Sequence, residues 1–114
     1  MFMRTKPASP PVEIKLDKPY ITCGDFSEIE QKIAQSLLES SRLIIDFTGV
    51  SDGVQGEFYG ALLGKVQQFY ELETDALGYL RDNLLLRFKS RSSKAYEKLT
   101  QGYDLFFKTA FLNE

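Results

Sequence analysis

The run Arg42-Leu43-Ile44-Ile45-Asp46-Phe47 narrows the choice of folds more than any other part of the chain. It is too short and too rich in β-branched residues for a helix, and its near-continuous apolar character is that of a strand buried on both faces. Such a strand belongs inside a sheet, and a sheet buried in this way needs helices from the same chain to cover it.

The flanking segments supply them. Upstream, Val12, Ile14 and Leu16 alternate with Glu13 and Lys15, the two-residue period of a half-buried strand. A turn at Asp17-Lys18-Pro19 and a short apolar piece from Tyr20 to Cys23 complete an expected β-hairpin. Ser27 followed by Glu30 has the spacing of a capping box and predicts a helix start. Phe26, Ile29, Ile33, Leu37 and Leu38 form its apolar face, and it should end near Ser40 or Ser41. Downstream, Thr48 to Gly56 holds Gly49, Gly53 and Gly56 and reads as a loop. A second helix leaves it, with Phe58, Leu62, Val66 and Phe69 along one face and Tyr59, Leu63 and Tyr70 beside them.

Residues 71–83 fit a short helix begun at Thr74 or Asp75, within which Gly78 costs about 1 kcal/mol. Leu84 to Lys89 reads as a strand. Ser93 to Leu112 reads as a closing helix, with Tyr96, Leu99, Tyr103 and Ala110 in phase and Gly102 as a kink. Three of the four prolines fall at positions 7, 10 and 11, so residues 1–11 are expected as a flexible leader and residues 12–114 as a single domain. Strands alternating with helices predict an α/β fold, a small mixed β-sheet with helices packed on it.

The residues that are missing restrict the chemistry. The chain has no histidine, no tryptophan and one cysteine, Cys23. That removes histidine acid/base catalysis, a cysteine–histidine dyad, a Cys/His zinc site and any internal disulfide. A lone thiol fits a reducing compartment, and the N-terminus lacks the apolar segment of a secretory signal, so a cytoplasmic protein is expected. The aliphatic stretches Leu43–Ile45 and Leu84–Leu86 fall far short of the ~20 residues that cross a bilayer, which predicts no membrane span.

Candidate functional residues gather on the loop between the buried strand and the second helix. In α/β folds this is where the carboxyl end of a strand meets the positive end of a helix. The loop has neither the Gly-x-x-x-x-Gly-Lys-Ser/Thr pattern nor the Gly-x-Gly-x-x-Gly fingerprint, so no nucleotide, cofactor or metal is predicted. Thr48, Ser51, Asp52, Gln55, Glu57 and Tyr59 are the expected partner-binding residues. An enzyme built on Asp46, Asp52 and Glu57 has no histidine, cysteine or lysine nearby to complete it, and charged surface explains these carboxylates better. Asp46 stands apart, because a carboxylate beside Ile45 and Phe47 must find partners or lie at the strand's end.

Charge is unevenly spread. With 14 basic and 16 acidic residues the net charge is −2, yet residues 24–57 are acidic and residues 81–98 basic, the latter carrying Arg81, Arg87, Lys89, Arg91, Lys94 and Lys98. An acidic domain disfavours nucleic acid as a partner. On the expected C-terminal helix Phe106 and Phe107 point about 100° apart, so Phe107 together with Phe111 is the expected self-association patch of a homodimer.

The stretch Leu43-Ile44-Ile45-Asp46-Phe47-Thr48-Gly49-Val50, a short loop, and Glu57-Phe58-Tyr59-Gly60-Ala61-Leu62-Leu63-Gly64 resemble the central strand, loop and following helix of STAS-like domains. These are relatives of anti-sigma-factor antagonists and of the regulatory domains of sulfate transporters, and the resemblance extends over residues 12–112. It implies a non-catalytic regulatory module that binds a protein through residues 48–60. Phosphoregulated members carry Ser or Thr just before the helix, where this chain has Gln55-Gly56-Glu57, with Ser51 earlier in the loop. The alternative reading is a small phage or mobile-element inhibitor whose acidic 24–57 half mimics nucleic acid, which requires those carboxylates to form one exposed stripe.

Overall fold

A computed structural model describes residues 11–38, 42–69 and 84–113. Four strands form the main sheet: β1 (Val12–Lys15), β3 (Leu43–Asp46), β5 (Leu84–Phe88) and β6 (Lys108–Phe111), adjacent in that order. Two further strands, β2 (Tyr20–Ile21) and β4 (Gly53–Val54), pair with each other beyond it. The described helices are α1 (Cys23–Leu38), α2 (Gly56–Phe69) and α3 (Lys94–Leu99), with a 3-10 turn at Asp104–Phe106. The fold is α/β, as the alternation of the sequence predicts. The leader's residues 1–10, the segment 71–83, Ser40, Ser41 and Tyr70 lie outside the described residues. So do the side chains expected on helix faces at positions 37, 38, 66 and 69.

All described strand pairs are parallel, whereas the sequence reading expects a sheet of mixed direction opened by a hairpin. Asp17-Lys18-Pro19 does not fold β2 back on β1. Instead β1 pairs with β3, Ile14 opposite Ile45, and β2 pairs with β4, Ile21 opposite Val54. The chain thus twice runs through a long strand, a short strand and a helix. Parallel neighbours require such crossovers, and their nearly universal right-handedness places successive helices on one face when the strand order advances monotonically.

The register identifies that face. Ile14, Ile45 and Leu86 lie side by side and are 4 %, 0 % and 0 % exposed. They share one core with Phe26 and Ile33 of α1, Phe58 and Leu62 of α2, and Ala95 and Leu99 of α3. Phe47 and Phe88 extend the same face, stacked with centroids 4.9 Å apart. Phe58 meets Phe47 edge-on at 6.0 Å, and Tyr96 meets Phe88 at 5.4 Å. These offset and edge contacts are the geometries aromatic quadrupoles favour.

Helix α1 begins four residues before the expected capping box. Its cap is Thr22: the Asp25 carboxylate accepts the Thr22 amide at 2.8 Å and its hydroxyl at 3.2 Å, and Lys18 Nζ lies 2.6 Å away. This is the backward-reaching arm of a capping box with Asp in place of Glu. Lys18, then the Thr22 amide, hold the Asp25 carboxyl below the usual carboxylate range against a smaller opposing effect of burial. Phe26, expected as a staple outside the helix, lies within it and is buried.

The C-terminal region departs furthest from expectation. Residues 93–112 do not form one helix: α3 stops at Leu99, and Gly102 at φ 136° reverses the chain. Lys108–Phe111 then adds an edge strand to β5. Positive φ is strained for any residue with a Cβ, so Gly102 ends the helix instead of kinking it.

Candidate functional site

Asp46 ends β3 and is 4 % exposed. Thr48 donates its amide at 2.8 Å and its hydroxyl at 2.7 Å to Asp46 Oδ1. Arg87 Nη1 lies 3.2 Å from Asp46 Oδ2, and Lys15 Nζ lies 3.9 Å from it. Lys15, Asp46 and Arg87 sit opposite one another on adjacent strands, so register alone gathers them. Arg87 also reaches Glu13 at 3.0 Å, bridging two carboxylates across β3. Burial alone would raise the Asp46 carboxyl. The Thr48 bonds and the neighbouring cations outweigh it and hold the group below its ordinary value. The carboxylate therefore orients the first turn of the loop, and Thr48 is committed to that bond.

The loop continues through exposed Ser51 and Asp52, whose side chains approach at 3.4 Å. The Asp52 amide donates to Pro19 O at 2.7 Å and the Gln55 amide to Ile21 O at 2.7 Å, fastening the loop to the β2 segment. Gln55 Oε1 accepts the Cys23 amide at 2.8 Å, so its side chain satisfies one of the free donors at the start of α1. Glu57 is exposed in the first turn of α2, where a carboxylate favours the helix dipole.

Tyr59 is not on this surface. It is 0 % exposed, and its hydroxyl donates to Ala95 O at 2.7 Å. Burial pushes its phenol upward, so it stays protonated. Two residues after Glu57 on a helix lie about 200° round the axis, which carries Tyr59 into the core. The expected self-association pair lies apart from the loop, on and just before β6. Phe107 is 7 % exposed, and half-buried Phe111 packs edge-on against Tyr96 at 4.9 Å with Arg91 over its ring at 4.4 Å.

Three residues absent from the sequence reading of the site adjoin the loop. A Cβ placed on Gly53 would lie 3.6 Å from Lys94 Cβ and 3.7 Å from Tyr20 Cε1, and one on Gly56 would lie 3.8 Å from Lys98 Cδ. Gly53 itself has φ 124°. Tyr20 is 46 % exposed. The surface is thus composite: Ser51, Asp52 and Glu57 beside Tyr20, Lys94 and Lys98. No local signal marks the added residues, which lie more than thirty positions away along the chain.

Among the described residues the carboxylates of the acidic half do not form one exposed stripe. Asp25 and Asp46 are buried against cations, and Glu30 pairs with Lys65 at 2.7 Å. Among the described residues no group of three or more His, Cys, Asp and Glu could hold a metal ion. No helix among them is long and apolar enough to cross a membrane. In comparisons with protein-family models, curated proteins and solved structures, none matches this chain.

Proposed function

We propose that the chain is a STAS-like regulatory module of the cytoplasm that acts by protein–protein contact through the loop and helix start at residues 48–57. The observation that carries this reading is the rigid presentation of an exposed Ser51-Asp52 tip. Asp46 and Thr48 anchor it at one end, Gln55 at the other, and backbone bonds to Pro19 and Ile21 along its side. A preorganised loop loses little entropy on binding, which favours recognition. Opposite charges and an exposed tyrosine within one patch suit a mixed protein surface better than a uniformly charged polymer.

In this reading Gln55 and Glu57 stand where phosphoregulated relatives carry their hydroxyl, so phosphorylation belongs to Ser51 if to any residue of the loop. The acid-mimic alternative receives no support from the scattered carboxylates.

The test is capture of partners from native cytoplasm with wild type, Asp52→Lys and Lys94→Glu, each checked for fold by circular dichroism. A protein retained by wild type and lost from both variants supports the reading. A partner set unaffected by either reversal refutes the assigned face. Phe58→Ala serves as the unfolding control: Phe58 is fully buried against Phe26, Phe47 and Tyr59, and its truncation should cost about 3 to 5 kcal/mol.

A further inference from the structure

The face of the main sheet opposite the helices carries two rows of side chains. One row reads Glu13, Ile44, Leu85, Lys108 across β1, β3, β5 and β6. The other reads Lys15, Asp46, Arg87, Ala110. Parallel sheets ordinarily have both faces covered. Here the α1, α2 and α3 side chains of the core meet the other face, while Glu13, Lys15 and Lys108 are exposed and Ile44, Leu85 and Arg87 half-buried. A groove lined by Pro11, Arg42, Ile44, Leu85 and Lys108 lies at the end of this face where the strands begin.

The order of charges along the rows points to the occupant. The first row has an acid at one edge, a base at the other and two aliphatic residues between. A second copy laid face to face about a two-fold axis parallel to the strands reverses the strand order. Glu13 then faces Lys108 of the second copy, Ile44 faces Leu85, and both contacts occur twice. The same rotation sets Asp46 opposite Arg87 in the second row. The first row is thus self-complementary about one axis between β3 and β5, the condition an isologous interface must meet, whereas in the second row Lys15 meets Ala110 and the buried Asp46 is already held by Arg87 of its own chain.

We propose that this sheet face is a self-association surface, in which two copies pack through Glu13, Ile44, Leu85 and Lys108 with their strands aligned. Aligned sheet-on-sheet packing at about 10 Å is a standard arrangement for two such faces. Four strands of four residues give a footprint of roughly 250 Å², against the ~800 Å² per partner of a stable interface, so the dimer is weak and reversible. This surface differs from both the aromatic C-terminal patch and the 48–57 loop, and it stands or falls independently of the proposed function.

Sedimentation velocity on the full chain, from about 10 µM to 1 mM, tests it. Wild type should show concentration-dependent dimerisation that weakens with added salt. Glu13→Lys and Lys108→Glu each place like charges together twice, and each should weaken association about tenfold or more. An equimolar mixture of the two variants should dimerise, because both charge pairs are restored between unlike copies, and the double variant Glu13→Lys/Lys108→Glu should recover as well. Thermal melts of each variant confirm the fold, and Lys108→Glu alters an exposed position only. A wild type that stays monomeric throughout the range overturns the proposal, and so does a dimer that the single variants leave unchanged or the mixture fails to restore.

Discussion

Replacing Asp46 by asparagine tests the centre of the site while keeping its shape. The carboxylate accepts two bonds from Thr48 and lies 3.2 Å from Arg87 and 3.9 Å from Lys15. An asparagine side chain there would retain an oxygen for the Thr48 donors at neutral strength, but its amide nitrogen would face the guanidinium donor. Hydrogen bonds to charged groups contribute about 1.5 to 3 kcal/mol each, roughly twice the neutral value. The loss of Arg87 is softened, since that side chain is 31 % exposed and keeps Glu13 at 3.0 Å. Lys15, 56 % exposed, contributes little. The net cost of Asp46→Asn at pH 7 is therefore about 2 to 3 kcal/mol, a fall of ~1 to 2 M in the urea midpoint.

The pH dependence carries the sharper test. The folded carboxyl titrates below its ordinary value of 3.8, so its contribution is present above that pH and is lost as pH falls through the folded value. Urea denaturation followed by far-ultraviolet circular dichroism should show a gap between wild type and Asp46→Asn that is constant from pH 7 to about 5 and closes below pH 4. A variant within ~0.5 kcal/mol of wild type at pH 7, or a gap unchanged by acid, would refute the assignment of Asp46 as a charged anchor.

Two further substitutions probe the core. Tyr59→Phe removes the donor to Ala95 O and should lower stability by about 1 kcal/mol, or ~4 °C in a thermal melt, without altering partner capture, because the residue has no surface exposure. Ser36 is 1 % exposed and its hydroxyl has no hydrogen-bond partner among the described residues, so Ser36→Ala should raise the urea midpoint, by up to ~1 kcal/mol in free energy; a destabilised variant would show that the hydroxyl is satisfied.

Periodicity located β1, β3, β5, α1 and α2 because their burial patterns are written in local spacing: Ile14 alternates with Glu13 and Lys15, and Phe58 and Leu62 recur at one helical turn. It failed on Lys108–Phe111, where two adjacent aromatic residues and a preceding helix suggested continuation. The signal for a break was Gly102, and only its left-handed conformation makes it a stop. The capping box was misplaced for a related reason: Ser27 and Glu30 have the correct spacing, but Thr22 and Asp25 have it too and also gain Lys18.

Fold class, the buried strand and the loop that follows it were determined by the order of residues alone, since each rests on a pattern within ten or so positions. Strand direction was decided by tertiary structure, because a three-residue turn permits a hairpin without compelling one, and β1 and β2 each gain a different parallel partner. The Lys15–Asp46–Arg87 row and the placing of Tyr20, Lys94 and Lys98 around Gly53 and Gly56 were decided there as well. These groupings join residues far apart in the chain, and only the register of the sheet and the packing of α3 against the loop bring their side chains within reach.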